Sequence, residues 1–110
     1  MTLPTEISTR ETLDLLEGGE GFLVMDIRDE TSFAAGHIPG AISNPANAFD
    51  LGKVQAHATP ETRIVVSCYR GMMSRDVVAY LRQQGFDNAQ SMAGGWDGWR
   101  RLGSAPVERA

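Results

Sequence analysis

Two near-continuous apolar runs dominate the hydrophobic pattern of the chain, FLVMDI at 22–27 and RIVVS at 63–67. Runs of that kind suit strands covered on both faces, not strands with one face in water. Weaker strand material lies at TEI (5–7) and NAQSM (88–92), and a very short strand fits Ala41–Ile42. Helical spacing fills the intervals. STRETLDLLEGG sets Ser8 and Glu11 at capping-box spacing, puts Leu13, Leu15 and Leu16 on one stripe, and closes at Gly18. DETSFAAG reads as a short helix ended by Gly36, and Asn47 to His57 as an irregular one. SRDVVAYLRQQGF is the clearest: Val77, Val78, Tyr80 and Leu81 form its apolar face, Gly85 is the stop, and Phe86 suits the contact beyond a glycine cap. GGWDGWRRLG is the last. Strands alternating with helices predict an α/β fold, an open and mostly parallel sheet with helices on both faces. No repeat, low-complexity stretch or linker interrupts the pattern, so 1–110 reads as one domain with a core over about 6–101 and a loosely ordered tail at 104–110.

Composition narrows the function classes. A chain of 110 residues buries roughly two-thirds of its unfolded surface, enough for one core without staples. A net charge of −4 argues against a basic face for nucleic acid. The single cysteine excludes an intramolecular disulfide, and two distant histidines offer no metal-ligand cluster. The start MTLPTEISTRE has no apolar run, and no segment approaches the roughly 20 apolar residues of a membrane helix. The default expectation is a cytoplasmic protein that engages no membrane.

The candidate chemistry sits at Cys68, one residue past the RIVVS run. In open parallel sheets, ligands bind just beyond the carboxyl ends of the strands. Tyr69 to Met73 form a short loop containing Gly71, and a helix follows near Ser74 with Asp76 in its first turn. A loop folded onto a helix start aims several backbone N–H groups at one point. A thiol there would have a lowered pKa, because the thiolate is the stabilised form. The competing reading is a small buried hydrophobe with no chemistry.

Three segments together resemble the rhodanese-like sulfurtransferases. CYRGMMS is similar to the family's active-site loop, with a Cys, a Gly three residues on and a small hydroxyl residue opening the next helix. VMDIRDETSFAAGHIPGAI (24–42) resembles its Asp-x-Arg followed by Gly-His-Ile-Pro-Gly-Ala, and GFDNAQSMAGGWDGW (85–99) its Gly-Gly-x-x-x-Trp signature. The likeness runs from about Glu6 to Arg101 and is greatest to the single-domain thiosulfate sulfurtransferases. It implies a rhodanese-like fold on a five-stranded sheet. It also implies an activity: the Cys68 thiolate takes the outer sulfur of thiosulfate as a persulfide, held by the N–H groups of residues 69 to 74. Cyanide or a thiol such as thioredoxin or glutathione then accepts it, with no metal or organic cofactor.

The remaining residues divide between chemistry and support. Arg70 is expected to complement an anionic donor and support the thiolate. Arg75 either helps attract anions or is a solvated surface arginine. Asp26 and Arg28 end the first long strand; the resemblance makes them chiefly an ion pair bracing neighbouring loops. His37 belongs to the tight turn of GHIPGA, and the resemblance implies that it is part of that turn and not the general base. Trp96 and Trp99 are packing residues, and the glycines before them suggest a tight approach to the sheet. Met72 and Met73 depart from the small or polar residues expected in this loop, and point to donors or acceptors with apolar surface. Two alternatives remain. A Cys-x5-Arg phosphatase or arsenate reductase would need arginine where Ser74 stands, with Arg75 one residue late. A binding or sulfur-relay module without turnover is the other. The Cys-Gly-Ser-Gly loop of the mercaptopyruvate-specific branch does not match CYRG.

Overall fold

The computed structural model describes residues 2–110. Five strands, β1 (Glu6–Ile7), β2 (Leu23–Asp26), β3 (Ile42–Ser43), β4 (Ile64–Ser67) and β5 (Ala89–Met92), form one sheet in the order β1-β5-β4-β2-β3. Every pairing is parallel. Helices α1 (Thr9–Glu17), α2 (Glu30–Ala35), α3 (Leu51–His57), α4 (Met73–Gln83) and α5 (Gly95–Arg101) make the connections.

The continuous apolar runs resolve into two faces, because side chains alternate along a strand. Met25, Ile64 and Val66 pack with Val54 of α3 and with Val78 and Leu81 of α4. Val24, Val65 and Met92 pack on the other face with Leu13 of α1 and with Trp96 and Trp99 of α5. The ends of α1 and α4 follow the expected cues. Ser8 Oγ accepts from the Glu11 N–H at 2.9 Å while Glu11 Oε1 accepts from the Ser8 N–H at 3.0 Å. Gly85 takes φ +95°, and the Phe86 N–H donates to the Leu81 carbonyl at 3.0 Å.

Four local expectations shift. The short strand is Ile42–Ser43, one residue later than expected. α4 begins at Met73. Tyr80 is not on the buried face: it is 40% exposed and meets Phe49 edge-on at 6.2 Å between ring centres. The irregular helix is a 3-10 turn at Ala46–Ala48 followed by α3. The break comes from Asn44, whose side chain bonds both the N–H and the carbonyl of Asp50 at 2.9 Å.

The tail expected to be loosely ordered is tied down. His37 and Glu108 exchange two backbone hydrogen bonds of 2.9 Å, and Trp99 Nε1 donates to the Pro106 carbonyl at 3.0 Å. The turn after α2 leaves backbone groups open that the tail satisfies. Among the described residues no helix is long and apolar enough to cross a membrane.

Candidate active site

β2 and β4 are neighbours in register, with Asp26 opposite Ser67. The residues that follow them therefore emerge together at the carboxyl edge of the sheet. Cys68 comes directly after β4 and is 2% exposed. Its Sγ accepts from the Gly71 N–H at 3.2 Å and the Ser74 N–H at 3.4 Å, and lies 3.3 Å from Ser74 Oγ. Burial pushes the thiol pKa up. Hydrogen bonds from the Ser74 hydroxyl and from the N–H groups of Ser74, Gly71 and Arg70 outweigh that penalty, and the pKa is lowered. Ser74 Oγ also lies 2.6 Å from Ser91 Oγ on β5. A thiol can donate to Ser74; a thiolate can only accept. Because either hydroxyl of the Ser74–Ser91 pair can donate, Ser74 is able to turn its proton to an ionised sulfur and accept from Ser91.

The loop keeps this shape because two glycine segments interlock. Gly71 has φ +86°, and a Cβ there would stand 2.8 Å from the Gly94 nitrogen. A Cβ on Gly95 would stand 2.6 Å from the Cys68 carbonyl oxygen. The N–H groups of Trp96 and Asp97, opening α5, donate to the carbonyls of Cys68 and Tyr69 at 2.8 and 3.0 Å. The glycine pair was expected to approach the sheet; it approaches the cysteine loop instead. Sequence reasoning also passed over Ser91, whose only signal was a hydroxyl inside a fully buried strand.

The other expected residues fall into separate environments. Asp26 and Arg28 are 1% and 3% exposed and paired at 2.8 Å, and Arg28 Nη2 also donates to the Gly36 carbonyl at 2.6 Å. Pair and carbonyl together clamp the strand end to the turn after α2. His37 bonds the Phe33 carbonyl and Glu108, and stacks on Phe33 at 3.7 Å. It has no contact with sulfur among these partners. The Arg70 guanidinium is 80% exposed and sits 3.3 Å from Asp97, so its backbone N–H, not its charge, acts on the thiol. Arg75 is exposed and lines a groove with Thr5 and Glu6, outside the cysteine loop. Met72 and Met73 are 66% and 46% exposed. Met73 and Tyr69 border a pocket completed by Ile27, Asp29 and the Pro45–Asn47 stretch. The Tyr69 hydroxyl is anchored on the Asp29 carboxylate, which together with Ser32 holds that carboxyl below its ordinary pKa.

A buried thiol ringed by N–H donors at the carboxyl end of a parallel sheet defines a class, and comparison with known proteins agrees. Residues 8–102 match the family model described as the rhodanese-like domain, and the chain belongs to that family. It is 42% identical over 105 residues to a Pseudoalteromonas translucida protein named thiosulfate sulfurtransferase GlpE, covering 94% of this chain and 95% of that one. It is 38% identical over 111 residues to an Actinobacillus pleuropneumoniae protein of the same name, covering 96% and 94%. Among solved structures, the rhodanese-like domain of an Anabaena protein superposes with a TM-score of 0.86 at 24% identity, covering 98% of this chain and 81% of that one, which speaks to the fold alone.

Proposed function

We propose that this protein is a thiosulfate sulfurtransferase whose nucleophile is Cys68. One observation carries the reading: the only thiol of the chain is held with its sulfur facing the N–H groups of Gly71 and Ser74 and the Ser74 hydroxyl, and its pKa is lowered. The curated relatives bear the name of that activity. The thiolate attacks the outer sulfur of thiosulfate. A new S–S bond forms at Cys68, the S–S bond of thiosulfate breaks, and sulfite leaves with that electron pair. The outer sulfur of the resulting persulfide anion is stabilised by the same loop donors. Cyanide or a thiolate then attacks that sulfur, returning Cys68 as thiolate and releasing thiocyanate or a new persulfide. No general base is required when the thiolate is already formed, which agrees with His37 being committed to Phe33 and Glu108.

Tyr69, Arg70, Gly71 and Ser74 serve this reading as the persulfide loop, and Asp26 with Arg28 as its brace. Met72 and Met73 serve it as an apolar border for a thiol acceptor of the thioredoxin or glutathione kind. Arg75 has no part in it. A lone reactive thiol is best kept reduced in the cytoplasm, which is the compartment we assign. The test is intact mass after incubation with thiosulfate. A gain of one sulfur atom, removed by cyanide with release of thiocyanate, is expected. An unchanged mass under these conditions overturns the reading.

A further inference from the structure

A second pocket, of about 370 Å³, lies on the other side of Tyr69, between α2, α5 and the C-terminal tail. Three guanidinium groups reach it, from Arg28, Arg100 and Arg109, and no carboxylate lines it. Neighbouring acids already have partners, and Asp26 offsets the charge of Arg28 itself, so the unpaired charge is that of Arg100 and Arg109. Asp26 is bound to Arg28, Asp29 to Tyr69 and Ser32, and Glu108 to His37 and Gly40. Among the described residues Arg100 and Arg109 form no ion pair. In a chain of net charge −4, such a local excess of positive charge is unusual.

Arg28 makes this more than a patch of surface arginines, which would be worth little alone. It is 3% exposed. Its Nε and Nη2 are taken up by Asp26 and Gly36, but no described residue accepts from Nη1. Nη1 is not among the buried unpartnered atoms, so it opens to solvent in the pocket that Arg28 lines, where it is free to donate to an acceptor. The guanidinium is held in place by the Trp96 ring, 4.6 Å away, and lies 5.9 Å from the Tyr69 ring. Rigid, partly desolvated guanidinium is suited to oxyanions in planar, two-point contact. Tyr69 and Val107 add apolar wall, and the volume is at the small end of organic-ligand pockets, which start at roughly 300 Å³.

We propose that this pocket is a second anion site, which binds a small organic oxyanion with its head on Arg28, Arg100 and Arg109 and its apolar body against Tyr69 and Val107. The site is distinct from the Cys68 cradle and does not depend on sulfur transfer. Benzenesulfonate is the probe, titrated into the Cys68→Ser protein at fixed ionic strength and followed by backbone amide NMR shifts. Saturable binding is expected, with the largest shifts at Gly36, Tyr69 and Val107. Inorganic sulfate, which lacks the apolar body, should bind at least tenfold more weakly. Arg100→Gln with Arg109→Gln should weaken benzenesulfonate tenfold or more. Both side chains are exposed, and the same spectra report whether the double variant is folded; Arg100→Gln alone should still weaken binding severalfold. Absence of saturation in Cys68→Ser, or unchanged affinity in folded arginine variants, overturns the site. Equal affinity for sulfate overturns the organic ligand class.

Discussion

The ends of β2 and β4 lie side by side and each carries a buried polar group, Asp26 and Cys68, yet the two are treated in opposite ways. At the end of β2, Asp26 meets Arg28, and charge is cancelled by charge within hydrogen-bond distance. After β4, the Cys68 sulfur meets only neutral donors, two N–H groups and a hydroxyl. A buried carboxylate paired to a guanidinium has nothing left to react with and works as a clamp. A buried sulfur faced by donors is stabilised as an anion without being neutralised, so it keeps its nucleophilicity. Burial alone therefore does not separate the ion pair from the proposed nucleophile at this sheet edge; the kind of partner does.

The sharpest break in this contrast is Cys68→Ser. A serine hydroxyl is not ionised near neutral pH, so sulfur transfer from thiosulfate to cyanide should fall by about a thousandfold or more, given what covalent nucleophiles contribute. The fold should persist, since the cradle donors can serve a hydroxyl as well. Appreciable turnover by a folded serine variant would show that another group carries the sulfur.

On the β2 side, Asp26→Ala should act on stability. Removing one partner of a buried pair leaves Arg28 uncompensated and costs about 3–5 kcal/mol. Urea unfolding should show this as a lower midpoint. A midpoint unchanged from wild type would mean that Arg28 is hydrated and the clamp adds nothing.

Ser74→Ala tests the neutral-donor side. It removes the hydroxyl that most lowers the thiol pKa. A hydrogen bond to a charged group is worth about 1.5–3 kcal/mol, so alkylation and sulfur transfer near neutral pH should slow about tenfold. In the wild type, alkylation rate against pH should turn over below the free-thiol value of about 8.5; in the variant the inflection should rise toward it. The folded-state pKa is the depressed one. Ionised Cys68 therefore stabilises the fold fully above the ordinary thiol pKa, and this contribution fades as pH falls through the lowered value. Stability independent of pH across that window would remove the donor account.

The smallest effect is expected at the loop's outer border. Replacing Met72 and Met73 by Asn and Ser should leave thiosulfate turnover little changed but cut kcat/KM for an organic thiosulfonate by about tenfold, since apolar contacts of this size discriminate by roughly 1–3 kcal/mol. Equal losses on both donors would show that the methionines only shape the loop.

Much of this was legible along the chain because the signals are local. A capping box, a glycine stop, and the continuous apolar runs FLVMDI and RIVVS each act over a few residues, and the strand–helix alternation leaves few sheet topologies open. The position of Cys68 just past a strand was equally visible. Strand order, which sets β2 beside β4 and so the ion pair beside the thiol, came from pairings between residues some 40 positions apart. The interlock of Gly71 with Gly94 and Gly95 and the Ser74–Ser91 link depend on β5 lying next to β4. So does the conversion of the glycine pair from a helix start into a hold on the cysteine loop. The tail and the arginine pocket were hidden for the same reason. Arg28, Arg100 and Arg109 are scattered in the sequence, and nothing in the composition of the last residues signals that the turn at His37 leaves backbone groups for them to pair with. Local propensity needs only neighbours in sequence; hydrogen-bond satisfaction and charge clustering need neighbours in space, and only the folded sheet supplies those.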